Sequence, residues 1–94
     1  MALKRFIVER EIPGVGEFEI RQLGGAAATS NEALARLGAQ IQWVESFVAA
    51  DRTFCVYLAR DEAIIREHSR LSGIPVTKIT EITGTIDPTT ERHR

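Results

Sequence analysis

A thiol, two imidazoles and a set of carboxylates are the side chains here that can do more than pack. Cys55 is the only cysteine; His68 lies in a patterned segment, and His93 is next to last. Glu9, Glu45 and Glu81 each sit in a stretch rich in β-branched or aromatic residues. Thiolate, imidazole and carboxylate together suit a borderline divalent metal such as nickel or zinc. Carboxylates gathered on a partly dry surface must be paired, protonated or bound to a cation. Each residue also has a plain reading. A strand cysteine is commonly a small buried hydrophobe. His68 shares a helical face with Ile64, Ile65 and Leu71 and can be a half-buried packing residue. The glutamates can pair with Arg5, Arg10 or Lys78 across strands. Neither an HxxxH nor a CxxC spacing occurs, so spacing alone identifies no metal site. Gly14-Val15-Gly16 is too short for a dinucleotide-binding loop, and no serine, histidine and acid arrangement stands out.

The elements that must position these residues follow from pattern. Lys4 to Arg10 reads as a strand, closed by the turn signal Pro13-Gly14. From Phe18 to Leu37 the apolar positions Ile20, Leu23, Ala27, Leu34 and Leu37 keep one helical face, with Gly24-Gly25 as a soft centre and Gly38 as the stop. A break at the glycines, with Thr29 capping a second helix and Glu32 completing a capping box, is the alternative; the continuous face favours one helix. Ile41 to Val48 and Thr53 to Leu58 read as a hairpin joined through Ala49 to Arg52. Asp61 starts a helix that Gly73 and Pro75 end. Val76 to Ile86 supplies a fourth strand, and Asp87-Pro88 opens a polar tail expected to fray. The order βαββαβ is that of an α+β, ferredoxin-like two-layer sandwich, a four-stranded antiparallel sheet with two helices on one face. It occupies residues 1–90 as one domain, with 91–94 as tail.

Alternation sorts the hairpin into two faces. An aliphatic inner face, with Glu45 kept off it, puts Val44, Ser46, Val48, Phe54, Val56 and Leu58 under the helices. The open face then carries Trp43, Glu45, Phe47, Cys55 and Tyr57, with Glu9 and Glu81 beside them and Ile7 and Ile79 as further apolar neighbours. A one-residue slip would swap the third strand's faces. Trp43, Phe47 and Tyr57 together form an aromatic patch too apolar to leave wet, which predicts a homodimer. His68, on a helix that covers the other face, reaches the glutamates only around a sheet edge or from a second copy.

Bulk properties narrow the function classes. Ninety-four residues make one thin core, which association would reinforce. With 44% hydrophobic and 27% charged residues and a net charge of −1, the chain has no basic stripe for nucleic acid. No apolar run reaches membrane-spanning length, and the opening residues carry no signal-peptide stretch. With a lone cysteine, this points to the cytoplasm.

Four segments together resemble a known family: Arg5-Phe6-Ile7-Val8-Glu9-Arg10-Glu11 with Pro13-Gly14; Gln42-Trp43-Val44-Glu45-Ser46-Phe47; Phe54-Cys55-Val56-Tyr57-Leu58-Ala59 with Asp61-Glu62 and Ile65-Arg66-Glu67-His68; and Ile79-Thr80-Glu81-Ile82 with Ile86-Asp87-Pro88-Thr89-Thr90. The family comprises small bacterial ferredoxin-like proteins of largely unknown function that include a nickel-binding protein. The resemblance implies a homodimer and nickel binding near the dimer surface, with Glu9, Glu45, Cys55 and His68 as the polar participants by position. Some relatives carry histidine where Glu45 stands here, an exchange of nitrogen for hard oxygen that weakens nickel relative to harder ions. Three readings remain open: a metal-binding homodimer, an interaction module with structural polar residues, and a small enzyme with Glu9 or Glu45 as general base and Tyr57 as acid.

Overall fold

The structure, a computed structural model, describes residues 2–93, so the last residue of the expected tail lies outside it. The elements are β1 (Lys4–Glu11), α1 (Ile20–Leu37), β2 (Ile41–Val48), β3 (Arg52–Ala59), α2 (Glu62–Ser72) and β4 (Lys78–Ile82). The four strands form one antiparallel sheet in the order β2-β3-β1-β4. Phe6 and Val8 of β1, Ile41 of β2 and Ala59 of β3 meet Ile64 and Ile65 of α2 in the core, with Leu34 and Leu37 of α1 against them. Both helices therefore cover one face of the sheet, and the fold is the ferredoxin-like α+β arrangement.

α1 is continuous for 18 residues. It starts at a reciprocal cap in which the Glu19 backbone N–H donates to Gln22 Oε1 at 2.9 Å and the Glu19 side chain accepts from the backbone of Gln22. Thr29 is thus inside the helix, its hydroxyl donating to the Gly25 carbonyl at 3.1 Å. The buried face is rotated from the expected one. Ser30 and Ala33 are its buried residues, and Ile20 is 85% exposed. α2 begins where Asp61 Oδ1 accepts the Ile64 N–H at 3.0 Å, a bond that holds the Asp61 carboxyl below its ordinary range. It ends at Gly73, whose φ of 73° suits glycine. β4 is shorter than expected. Beyond it, Pro88–His93 coils into an exposed 3₁₀ turn, with the Asp87 side chain accepting from the backbone and hydroxyl of Thr89.

The hairpin departs most from expectation. Val48 pairs with Thr53, and the Ala49 N–H donates to the Arg52 carbonyl at 2.9 Å, leaving Ala50 and Asp51 at the turn. A two-residue turn pairs even-numbered positions of β2 with odd-numbered positions of β3, opposite to the parity assumed. Val44 is then an extra residue: Trp43 faces Tyr57, but Glu45 faces Val56. The bulge turns Trp43 inward, where its indole N–H donates to Ser46 Oγ at 2.9 Å. The inner face therefore carries Trp43, Ser46, Val48, Thr53, Cys55, Tyr57 and Ala59, while Phe54, Val56 and Leu58 lie on the open face with Glu45 and Phe47. On β4, Glu81 pairs with buried Phe6 and Ile79 packs on the core, so neither joins the open face. The turn is held from outside the hairpin. Gly14 N–H donates to Asp51 Oδ1, Gly16 N–H to the Ala50 carbonyl and Ile12 N–H to the Asp51 carbonyl, each at 2.9 Å.

Candidate functional site

β1 alternates Phe6, Val8 and Arg10 inward with Ile7 and Glu9 outward. The inward series ends on a charge: Arg10 is only 2% exposed. Its Nη1 donates to Ser69 Oγ at 2.9 Å, the Pro75 carbonyl at 3.0 Å and the Ile74 carbonyl at 3.2 Å, and its Nη2 donates to the Tyr57 hydroxyl at 3.2 Å. All four partners are neutral, and Arg10 forms no ion pair among the described residues. The guanidinium carbon also stands 5.9 Å from the Tyr57 ring centre.

Tyr57 links Arg10 to a second buried polar group. Its ring lies 5.5 Å from that of His68, centre to centre. His68 Nε2 is 3.2 Å from Ser30 Oγ and 3.4 Å from the Ser30 carbonyl. A carbonyl only accepts, so Nε2 carries the proton and Nδ1, buried without a partner, is a bare acceptor. Burial, and then the Arg10 charge, push the His68 pKa below its ordinary value, so the ring is neutral. Burial raises the Tyr57 pKa against the opposing pull of Arg10, so its hydroxyl keeps its proton. Arg10 donates to the hydroxyl oxygen, and the Ser30 hydroxyl also lies within hydrogen-bonding reach of it.

This cluster borders a cavity of about 500 Å³ between the sheet and the first half of α1. Arg10, Glu11, Ser30, Ser46, Thr53, Cys55 and Tyr57 supply its polar positions, and Val15, Phe18, Leu23, Ala26, Trp43 and Ile74 most of the apolar wall. The volume is that of a small-molecule site. A fixed positive charge and a hydroxyl donor in a chiefly apolar chamber, with the one carboxylate, Glu11, at its exposed rim, can receive an anion.

The residues expected to gather on one surface are divided by the sheet. Glu9 and Glu45 are on the open face; Cys55 and His68 are buried beneath the helices. Glu9 accepts an ion pair from Arg52 at 3.1 Å, in place of Arg5, Arg10 or Lys78. Among the described residues no three His, Cys, Asp or Glu side chains gather closely enough to hold a metal. The donor set Glu9, Glu45, Cys55 and His68 therefore does not fit a metal within one protomer, and Arg10 beside His68 opposes a cation on the inner side. Tyr57, 2% exposed, is on the opposite face from both glutamates and cannot act as their acid partner; with Trp43 also turned inward, only Phe47 of the expected aromatic patch remains on the open face. Arg10 and Ser30 were not singled out beforehand. The available signal was that Arg10 continues the Phe6-Val8 alternation; Ser30 had none, since its burial depends on how α1 rotates.

Among curated proteins none matches this chain. The crystal structure of SCO4226 from Streptomyces coelicolor A3(2) superposes with a TM-score of 0.69 at 16% sequence identity, covering 87% of this chain and 99% of that one. At that identity the likeness speaks to the fold. The family model described as nickel responsive protein, SCO4226-like, matches residues 6–82, most of the chain. By that match the chain belongs to the SCO4226-like family of nickel responsive proteins.

Proposed function

We propose that this chain acts in a nickel response as a cytoplasmic homodimer, its open sheet face covered by a second copy and the cation held by carboxylates at that boundary. The observation that carries the reading is the open face. Ile7, Phe47, Phe54, Val56, Leu58 and Ile82 share it, Phe47 is 55% exposed, and among the described residues both helices pack on the other face. A contiguous apolar sheet face on a small domain favours association. Glu9 and Glu45 lie on the same face, so a second copy placed there brings further carboxylates toward them; Glu9 already pairs with Arg52, and carboxylates beyond such pairing in a drying interface are protonated or hold a cation. Cys55 and His68 contribute no ligand in this reading, because they are buried on the side that carries Arg10. An oxygen-only set discriminates weakly between nickel and harder ions.

Sedimentation of the wild type, followed by nickel and magnesium titrations of the wild type, a Glu9→Gln/Glu45→Gln double variant, Cys55→Ser and His93→Ala, tests both halves. The expected result is a dimer at micromolar concentration, nickel binding lost in the double variant and retained in Cys55→Ser. A monomer removes the shared interface. Nickel binding lost in His93→Ala but intact in the double variant puts the cation on the tail and overturns the carboxylate site.

A further inference from the structure

The cavity beneath α1 holds a cation, Arg10, for which no ion-pair partner stands among the described residues. A guanidinium removed from water is costly unless an anion compensates it, and neutral acceptors offset only part of that cost. The four bonds Arg10 makes are all to neutral oxygens, and the acid on the cavity wall, Glu11, is solvent-exposed. Beside the guanidinium, Tyr57 offers a hydroxyl proton. The rest of the chamber is chiefly apolar, with Phe18, Leu23 and Trp43 on its wall and room for a small molecule. A charged donor, a neutral donor and an apolar chamber are the complement of a molecule with one anionic end and a hydrocarbon body.

We infer that this cavity binds a small organic acid, its carboxylate held by Arg10 and the Tyr57 hydroxyl and its apolar body lying along Phe18, Leu23 and Trp43. Arg and carboxylate form strong, geometrically specific hydrogen bonds, and Tyr57 adds a third donor from a fixed ring. The site is separate from the open face, and its occupancy does not depend on the metal reading.

The test is titration calorimetry with octanoate and with cinnamate, each beside its neutral alcohol, and with inorganic phosphate. Octanoate reports a flexible alkyl acid and cinnamate a planar aromatic one; saturable one-to-one binding of either supports the site and says which shape it takes. The acid should bind roughly tenfold or more tightly than its alcohol, as expected for a bond to a charged group, and should raise the unfolding midpoint. R10Q should remove that preference by lowering the acid's affinity roughly tenfold more than the alcohol's, a selective effect that a merely structural arginine would not have. L23W, which narrows the chamber without touching the charge, should lower affinity for acid and alcohol together; it decides the question where R10Q does not fold. Alcohols binding as well as acids, phosphate binding as well as either acid, no acid binding at all, or full affinity in L23W would each overturn the inference.

Discussion

Arg10 and His68 set the charge inside this domain, and His68 makes its stability depend on pH. In the unfolded chain the imidazole takes a proton near its ordinary value of about 6.5; in the folded protein burial and Arg10 hold it neutral to lower pH. The unfolded state therefore binds more protons below about 6.5, and stability, full above that value, falls as the pH drops toward the lowered folded value. One proton contributes a slope of up to about 1.4 kcal/mol per pH unit. Urea unfolding between pH 7.5 and about 5 should show this slope in the wild type and lose it in His68→Leu. An unchanged slope in the variant would assign it to other groups. The carboxyls held low by their partners, Asp61 by the Ile64 N–H, Glu67 by Arg70 and Asp87 by Thr89, act in a separate window. Their contributions are present above the ordinary carboxylate range and are lost only as the pH falls through and below it.

Two glycines at the element scale respond oppositely to the same substitution. Gly24 is in the second turn of α1, and a Cβ added there meets nothing within 4 Å. Gly24→Ala should stabilise the protein by roughly 0.5–1 kcal/mol, because alanine loses less backbone freedom in a helix. Gly16 sits where the loop after β1 docks on the hairpin turn, and a Cβ there would lie 2.8 Å from the Ala49 carbonyl oxygen and 2.9 Å from Ala50 Cα. Both neighbours are backbone, so Gly16→Ala must displace the turn, and a loss of about 1–3 kcal/mol is expected. Thermal and urea unfolding of the two variants checks both signs. A neutral Gly16→Ala would mean that the turn and loop move independently.

For the whole molecule, the bulge at Val44 separates two aromatic residues that alternation alone would place together. Phe47 is on the open face, and Phe47→Glu should weaken self-association while leaving the unfolding midpoint of the monomer nearly unchanged, since its side chain is already largely in water. Trp43 packs against the core. Trp43→Glu should therefore destabilise the fold itself, by about 3 kcal/mol on the scale of large core truncations. Sedimentation measures the first and urea unfolding the second. Dissociation by Trp43→Glu without loss of stability would contradict the inward placement of the indole.

The order and kind of the elements are legible in the residues alone. Asp61 with Gly73 and Pro75 marks α2, Gly38 stops α1, and the apolar run through Gly24-Gly25 carries one helix. His68 was readable as a packing residue from its spacing with Ile64 and Ile65, and it is fully buried. These signals are local, set by helical period and capping chemistry within a few residues. Which residues look inward from the hairpin depends on long-range packing. Alternation states which residues share a face but not which face it is, and a bulge or a one-residue change in the turn inverts the answer. Here both occur, and the turn geometry depends on Gly14 and Gly16, more than thirty residues away in the chain. The same inversion carried Cys55 and Tyr57 from the open face to the interior, where Tyr57 meets Arg10, buried in line with Phe6 and Val8. Whether a charge on a strand is solvated or sealed depends on what packs over it, and in this protein that is α1, α2 and the loop at Ile74-Pro75.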